Sequence, residues 1–268
     1  MITREIVSSS ILSKSGLPEA DFVINPYIGC AHGCVYCYSR FMKRFTGHQE
    51  PWGEFVDIKI NAGELAEREL GKAGERTILL SSVTDPYQPL ERKYGLTRQI
   101  LKQAVINQTP ISILTKSDLV LRDLDLLKQL DNCEVGVSIS TLDDNLREIF
   151  EPRASSVQQR LKVLDEIKKS GIRTYAFIGP ILPELTDLEA LFERLKQAKV
   201  DLVMAENLNL RPSIWPAVRM IIEDRFPSLL PVYEKAQQQP QVYWEPIKEQ
   251  IAALSKKYNL PVKTFFYH

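Results

Sequence analysis

From residue 75 onward the chain alternates short β-branched, apolar runs with longer segments of helical periodicity. This alternation is the strongest constraint on its fold. "TILLSSV" (77–83), "ISILT" (111–115), "EVGVSIST" (134–141), "RTYAFI" (173–178) and "DLVMAEN" (201–207) read as strands, and "DFVIN" (21–25) is a sixth. Their nearly continuous apolar character suits a parallel sheet covered on both faces; a strand with one wet face would alternate. Between them, Leu121, Leu124 and Leu127 recur at helical spacing, as do Val157, Leu161, Leu164 and Ile167, and then Leu188, Leu191, Phe192 and Leu195. Thr97 is placed to cap a helix over 98–107, and Gly171 to stop the helix that precedes "IRTYAF".

Repeated βα units with right-handed crossovers imply an α/β fold, either an open doubly wound sheet or a barrel. No Gly-rich dinucleotide fingerprint follows the first strand, and no GxxxxGK[ST] phosphate loop occurs. After residue 210, Pro-containing loops introduce a mostly helical tail, "EPIKEQIAALSKKY", that ends in an apolar "PVKTFFYH". The tail is expected to pack on the core within a single domain spanning 1–268, with the core at about 21–210 and the extension at about 211–268. Polar residues collect just past the strand ends: Asn25; Ser82, Thr84 and Asp85; Lys116 and Ser117; Ser138, Ser140 and Thr141; Glu206, Asn207 and Asn209. That edge of an α/β sheet is where loops converge on a ligand.

The 34 basic and 34 acidic residues cancel, so bulk charge gives no footprint for nucleic acid or an anionic membrane, although a local basic groove is compatible with it. No apolar run approaches the ~20 residues that span a bilayer, and "MITREIVSSSIL" lacks the pattern of a signal peptide. No membrane partner is expected. Four cysteines, three of them clustered, do not make a disulfide scaffold. They are expected to stay reduced in the cytoplasm.

Those three are Cys30, Cys34 and Cys37, in "IGCAHGCVYCYSRF" (28–41). Thiolates select zinc, copper(I) or iron–sulfur clusters. Zinc commonly takes two close ligand pairs from separate segments, and this chain has one triplet and no second pair. An iron–sulfur cluster usually takes four cysteines, so a triplet suggests a [4Fe–4S] cluster with one open iron, where chemistry would occur. The other reading is a non-catalytic iron–sulfur or zinc-binding module.

C-x3-C-x-aromatic-C after the first strand of a βα-repeat scaffold resembles the radical S-adenosylmethionine (SAM) superfamily. The resemblance implies a partial (β/α)6 TIM-type barrel with a mostly helical C-terminal extension. It implies a [4Fe–4S] cluster on Cys30, Cys34 and Cys37, with S-adenosyl-L-methionine on the open iron. It further implies reductive cleavage of that cofactor to a 5′-deoxyadenosyl radical, with the electron supplied by a reductant such as flavodoxin or ferredoxin.

A closer likeness covers most of the chain. "NPYIGCAHGCVYCYSRF", "SSVTDPYQPLERKYGLTR", "LTKSDLVLRDLDLL", "VSISTLDD", "EPRASS" with Arg160, and "GPILPELTD" are similar to the spore photoproduct lyase-related family, often labelled DNA repair photolyases. That likeness implies hydrogen abstraction from a nucleic-acid lesion. It places Tyr36 near the adenine, Thr84 and Asp85 near the cofactor's amino group, Lys116 on its carboxylate, and Ser138 or Ser140 further along it. Glu151, Arg153 and Arg160 either bind a polar group or pair with one another. Tyr38 would serve a hydrogen-atom relay. Ser82 stands where the lyase has the cysteine that returns a hydrogen atom, and a serine O–H bond is too strong for that task. Cys133, at the start of a strand, is expected at the opposite end of the barrel.

Overall fold

The computed structural model describes residues 1–266; Tyr267 and His268, at the end of the apolar tail, lie outside the described residues. Its strands are β1 (Ile2–Ile6), β2 (Leu12–Lys14), β3 (Phe22–Ile24), β4 (Tyr27–Ile28), β5 (Phe55–Lys59), β6 (Ile78–Leu80), β7 (Ile111–Thr115), β8 (Cys133–Ser138), β9 (Arg173–Ile181), β10 (Leu202–Asn207) and β11 (Val262–Phe265). One sheet runs β11-β10-β9-β8-β7-β6-β3-β2. All pairings from β3 to β11 are parallel, and β2 closes one end antiparallel to β3.

The order of the strands decides between the two architectures left open above. From β3 through β10 they sit side by side in chain order, with no reversal of the kind a doubly wound sheet requires. Right-handed crossovers then put every connecting helix on the same face, and the twisted sheet curls around the other. The result is an open, partial barrel. Ile113, Val137, Ala176 and Val203 face the helices in the main core, whereas Leu114, Tyr175, Phe177, Leu202, Met204 and Phe265 form a separate apolar plug inside the sheet. Gly136 and Gly179 make room for that plug. A Cβ on either would fall 2.1 Å from the Tyr175 ring or 1.8 Å from the Phe177 ring, so both rings lie flat across the inner wall.

The structure departs from the sequence reading at three places. The tail is helical over Trp215–Arg225, Leu230–Gln238 and Pro240–Tyr258, but β11 then joins β10 as a further parallel strand, so the sheet extends past residue 210. Ser140 does not lie on β8 with Ser138; the strand ends at Ser138 and Ser140 is in the following turn. Thr97 is no cap. Its hydroxyl donates to the Pro86 carbonyl, and the helix Leu96–Asn107 is capped by the fully buried Glu91, whose carboxylate accepts from the Thr97 and Arg98 N–H groups. Gly171, at φ +83, does follow the end of the helix Val157–Lys169, as expected.

A second sheet, β1-β5-β4, carries the cysteine loop. β5 pairs parallel with β1 and antiparallel with β4, so the segment from residue 29 to 54 leaves and returns through adjacent strands.

Candidate active site

The cysteine loop begins where β4 ends, and three neighbouring segments hold it. From the turn after β6, Thr84 donates to the Gly29 carbonyl (2.6 Å), while the fully buried Gln88 accepts from the Ala31 N–H (2.9 Å) and donates to Thr84 (3.0 Å). From the end of the helix Asp144–Phe150, the Phe150 carbonyl accepts from the Val35 N–H (2.9 Å). From the 3-10 helix Tyr38–Phe45, Arg40 donates back to the Cys37 and Val35 carbonyls. Cys30 and Cys34 are buried and Cys37 is half-buried. Burial pushes the Cys37 thiol up to about 11 and that of Cys34 well above its usual value.

Asp85 organises the floor of this loop. One carboxylate oxygen accepts from the Tyr87 N–H (2.8 Å) and the Thr115 hydroxyl (2.7 Å). The other accepts from the Lys116 N–H (2.8 Å) and lies 3.4 Å from the His32 imidazole. Burial alone would raise this carboxyl, but His32, Thr115 and the Lys116 N–H hold it at about 2. Burial alone would lower His32; Asp85 and Cys30 raise it to about 10. The polar atoms of Thr84 and Asp85 thus tie the cysteine loop to the ends of β6 and β7, which is a positioning role.

Behind the loop, the Tyr36 phenol donates to Glu151, and Glu151 also receives Arg160. Arg160, only 1% exposed, reaches the Ser155 carbonyl (2.8 Å) and the Ser138 carbonyl (3.0 Å) as well. This is the ion pairing that was one of the two readings of Glu151 and Arg160. Arg153 points elsewhere, to Glu54 and the Gly53 carbonyl.

Lys116 and Ser140 are among the groups left unspent. Lys116 follows β7 directly, two residues past the inward-facing Leu114, and its ammonium sits 5.8 Å from the centroid of the Tyr36 ring. The ammonium makes no ion pair or hydrogen bond among the described residues. Burial works against its charge, but Glu151 and Cys34 raise it above the usual lysine value. The Ser140 hydroxyl is buried with no partner among the described residues. Tyr38 and Ser82 come together at the mouth, where the half-exposed Tyr38 phenol donates to the Ser82 main-chain carbonyl. Asn25 holds that turn through the Ser82 and Val83 N–H groups (3.0 and 3.1 Å). Cys133 begins β8, at the other end of the sheet.

One loop carries three thiols, the soft donors that an iron–sulfur cluster takes. A free ammonium and an orphaned hydroxyl at the strand ends fit an anionic, hydrogen-bonding ligand beside them.

An open α/β barrel with a three-thiol loop at the C-terminal mouth of its strands has the architecture of a barrel enzyme. The family model described as the radical SAM superfamily matches residues 24–203, and the chain belongs to that superfamily. An uncharacterized protein of Methanocaldococcus jannaschii is 39% identical over 209 residues, 78% of each chain. A radical SAM Nalpha-GlyT isomerase of Pseudomonas phage M6 is 28% identical over 206 residues, 75% of this chain and 42% of that one. Among solved structures, spore photoproduct lyase complexed with a dinucleoside spore photoproduct shares the fold at a TM-score of 0.70 and 16% identity, covering 99% of this chain and 82% of that one.

Two contributors are absent from the sequence reading: Gln88, and Glu91 as a cap. Gln88 lies in a turn and Glu91 opens the four-residue helix Glu91–Tyr94, which is too short for a periodic signal. Glu206 was visible as a polar strand end but carried no motif.

Proposed function

We propose that this chain is a radical SAM enzyme acting in the cytoplasm on a nucleic-acid-derived substrate, with spore photoproduct lyase-like hydrogen abstraction. Cys30, Cys34 and Cys37 would hold a [4Fe–4S] cluster, and S-adenosylmethionine would bind beside it, with a flavodoxin- or ferredoxin-type reductant as electron source. The observation that carries this reading is a triplet of two buried thiols and one half-buried thiol facing an unpaired lysine at the barrel mouth. The chemistry such a cluster supplies when bound is one-electron cleavage of the cofactor's sulfonium.

The chain's own residues do the rest. Lys116 offers a compact cation to the cofactor carboxylate, and Ser140 offers a hydroxyl to its polar edge. Ser138 fixes the β8 end through Arg160, and the Tyr36–Glu151–Arg160 network stiffens the back of the loop. The Asp85–His32 pair and Thr84 set its height over β6 and β7. Ser82 lacks the chemistry of a hydrogen-atom donor; Tyr38, held on its carbonyl, carries the weaker O–H bond and serves that relay.

The nucleic-acid reading is supported by the ligand named in the lyase structure and by a basic, aromatic surface beside the loop. Phe41 and Phe45 are exposed there, with the Arg44 guanidinium 5.4 and 4.6 Å from their ring centroids.

Anaerobic reconstitution should give about four irons per chain, and dithionite with S-adenosylmethionine should release 5′-deoxyadenosine. Equal release after Cys34→Ala would falsify the assignment. Deuterium transfer from labelled, damaged oligonucleotides into 5′-deoxyadenosine tests the substrate.

A further inference from the structure

Glu206 takes no part in the machinery described so far. Leu202 and Met204, on its own face of β10, belong to the inner plug, while Val203 and Ala205 face the helices. Glu206 is therefore the inward residue one step above an apolar floor, at the C-terminal mouth. The charges that reach it are those of Lys116 at the end of β7 and Arg211 in the loop after β10, and its own charge reaches the Tyr38 phenol beside the cysteine loop. The other carboxylates at this end are occupied: Asp85 by four donors, Glu151 by Tyr36 and Arg160. The Glu206 carboxyl makes no hydrogen bond or ion pair among the described residues.

We propose that Glu206 is a substrate-binding residue that receives the adjacent N–H and C=O of an uncharged planar amide or imide, such as the edge of a thymine-type nucleobase. A carboxyl oxygen accepts the N–H, and the neutral form also donates its O–H to the neighbouring carbonyl. Burial, against the opposing fields of Lys116 and Arg211, brings this carboxyl to about 7, so both forms are present near neutrality. The floor of Met204, Phe177 and Phe265 suits a ring laid against it. A phosphate or carboxylate in the same place would meet a partly charged acid and an apolar wall, so anionic parts of the substrate must lie outward.

The inference deepens the proposed function and rests on it, so the test reads the two separately. Cluster-reconstituted protein with S-adenosylmethionine is titrated with dithymidine monophosphate and with its N3-methylated form, which lacks the imide N–H. The wild type should bind the N–H form about tenfold or more tightly. Glu206→Gln should keep the preference, because its amide offers the same donor and acceptor. Glu206→Ala and the volume-matched Glu206→Met should lose it at unchanged iron content. Equal binding of both forms by the wild type, binding of neither, or a preference that survives in both apolar variants overturns the role of Glu206. In the same samples, 5′-deoxyadenosine release without discrimination removes only this inference, and discrimination without release removes only the radical SAM reading.

Discussion

Lys116 carries a positive charge into the barrel mouth with no counter-ion bonded to it. That is costly unless a ligand completes the pair. Lys116→Ala should weaken S-adenosylmethionine binding about tenfold to a hundredfold while leaving iron content intact. Equilibrium binding on reconstituted protein checks this, and unaltered affinity would place the carboxylate elsewhere. Lys116→Arg should recover little, since a planar fork does not replace a compact ammonium on a four-carbon stem. Glu151 is the opposite case, a buried charge fully spent on its neighbours. Glu151→Ala leaves Arg160 buried and unpaired and should cost about 3–5 kcal/mol, read as a loss of unfolding free energy in the metal-free chain. A loss below 1 kcal/mol would mean that Arg160 finds water instead. The two cases differ in how far the sequence reveals them. The cysteines announce themselves because they lie within eight positions, and Lys116 because it follows a strand. Tyr36 and Glu151 are 115 residues apart, and no local pattern joins them.

At the scale of single elements, the edge strand β2 depends on one carboxylate. An oxygen of the buried Glu69 accepts from the Ser10 hydroxyl (2.9 Å) and from the Ile11 and Leu12 N–H groups (3.0 Å each). Burial opposes ionisation of Glu69, but these donors outweigh it and hold the carboxyl below its usual value. A depressed pKa means that the stabilisation is complete above the unfolded carboxylate value and disappears as pH falls through the folded one. Glu69→Gln should therefore be less stable by about 1–2 kcal/mol near neutrality, with the gap closing in acid. Urea unfolding of both proteins at neutral pH and at about pH 3 decides it; a gap independent of pH would show that ionisation is irrelevant. The barrel strands were legible because burial on two faces makes them apolar throughout, and β7 matches its expected span, 111–115. β1 was not, because its ITREI stretch is largely exposed and polar at three successive positions, so no alternation marks it. Nor was β4, since two residues carry no periodicity. β11 was read as an apolar tail because its pairing with β10 is a tertiary choice, not a local one.

Across the whole molecule, neutrality conceals an uneven distribution of charge. The segment Tyr38–Phe45 carries Arg40, Lys43 and Arg44 with no acid, next to the cysteine loop and the exposed rings of Phe41 and Phe45. Arg40 is committed to the Cys37 and Val35 carbonyls, which leaves Lys43 and Arg44 as the cations directed at solvent or at short local contacts. A nucleic-acid strand laid across the barrel mouth would release counter-ions from these two sites, and each phosphate neutralised on a single strand contributes about 0.7 to the slope of log affinity against log salt. The double variant Lys43→Ala with Arg44→Ala should therefore lower the slope for a single-stranded oligonucleotide by about 1.4. Binding should weaken most at low salt, where screening is least. Phe45→Ala should weaken binding without changing the slope, because stacking displaces no counter-ions. An unchanged slope in the double variant, with affinity retained, would mean that the strand approaches from another side and that this patch serves a different partner, such as the acidic surface of a reductant.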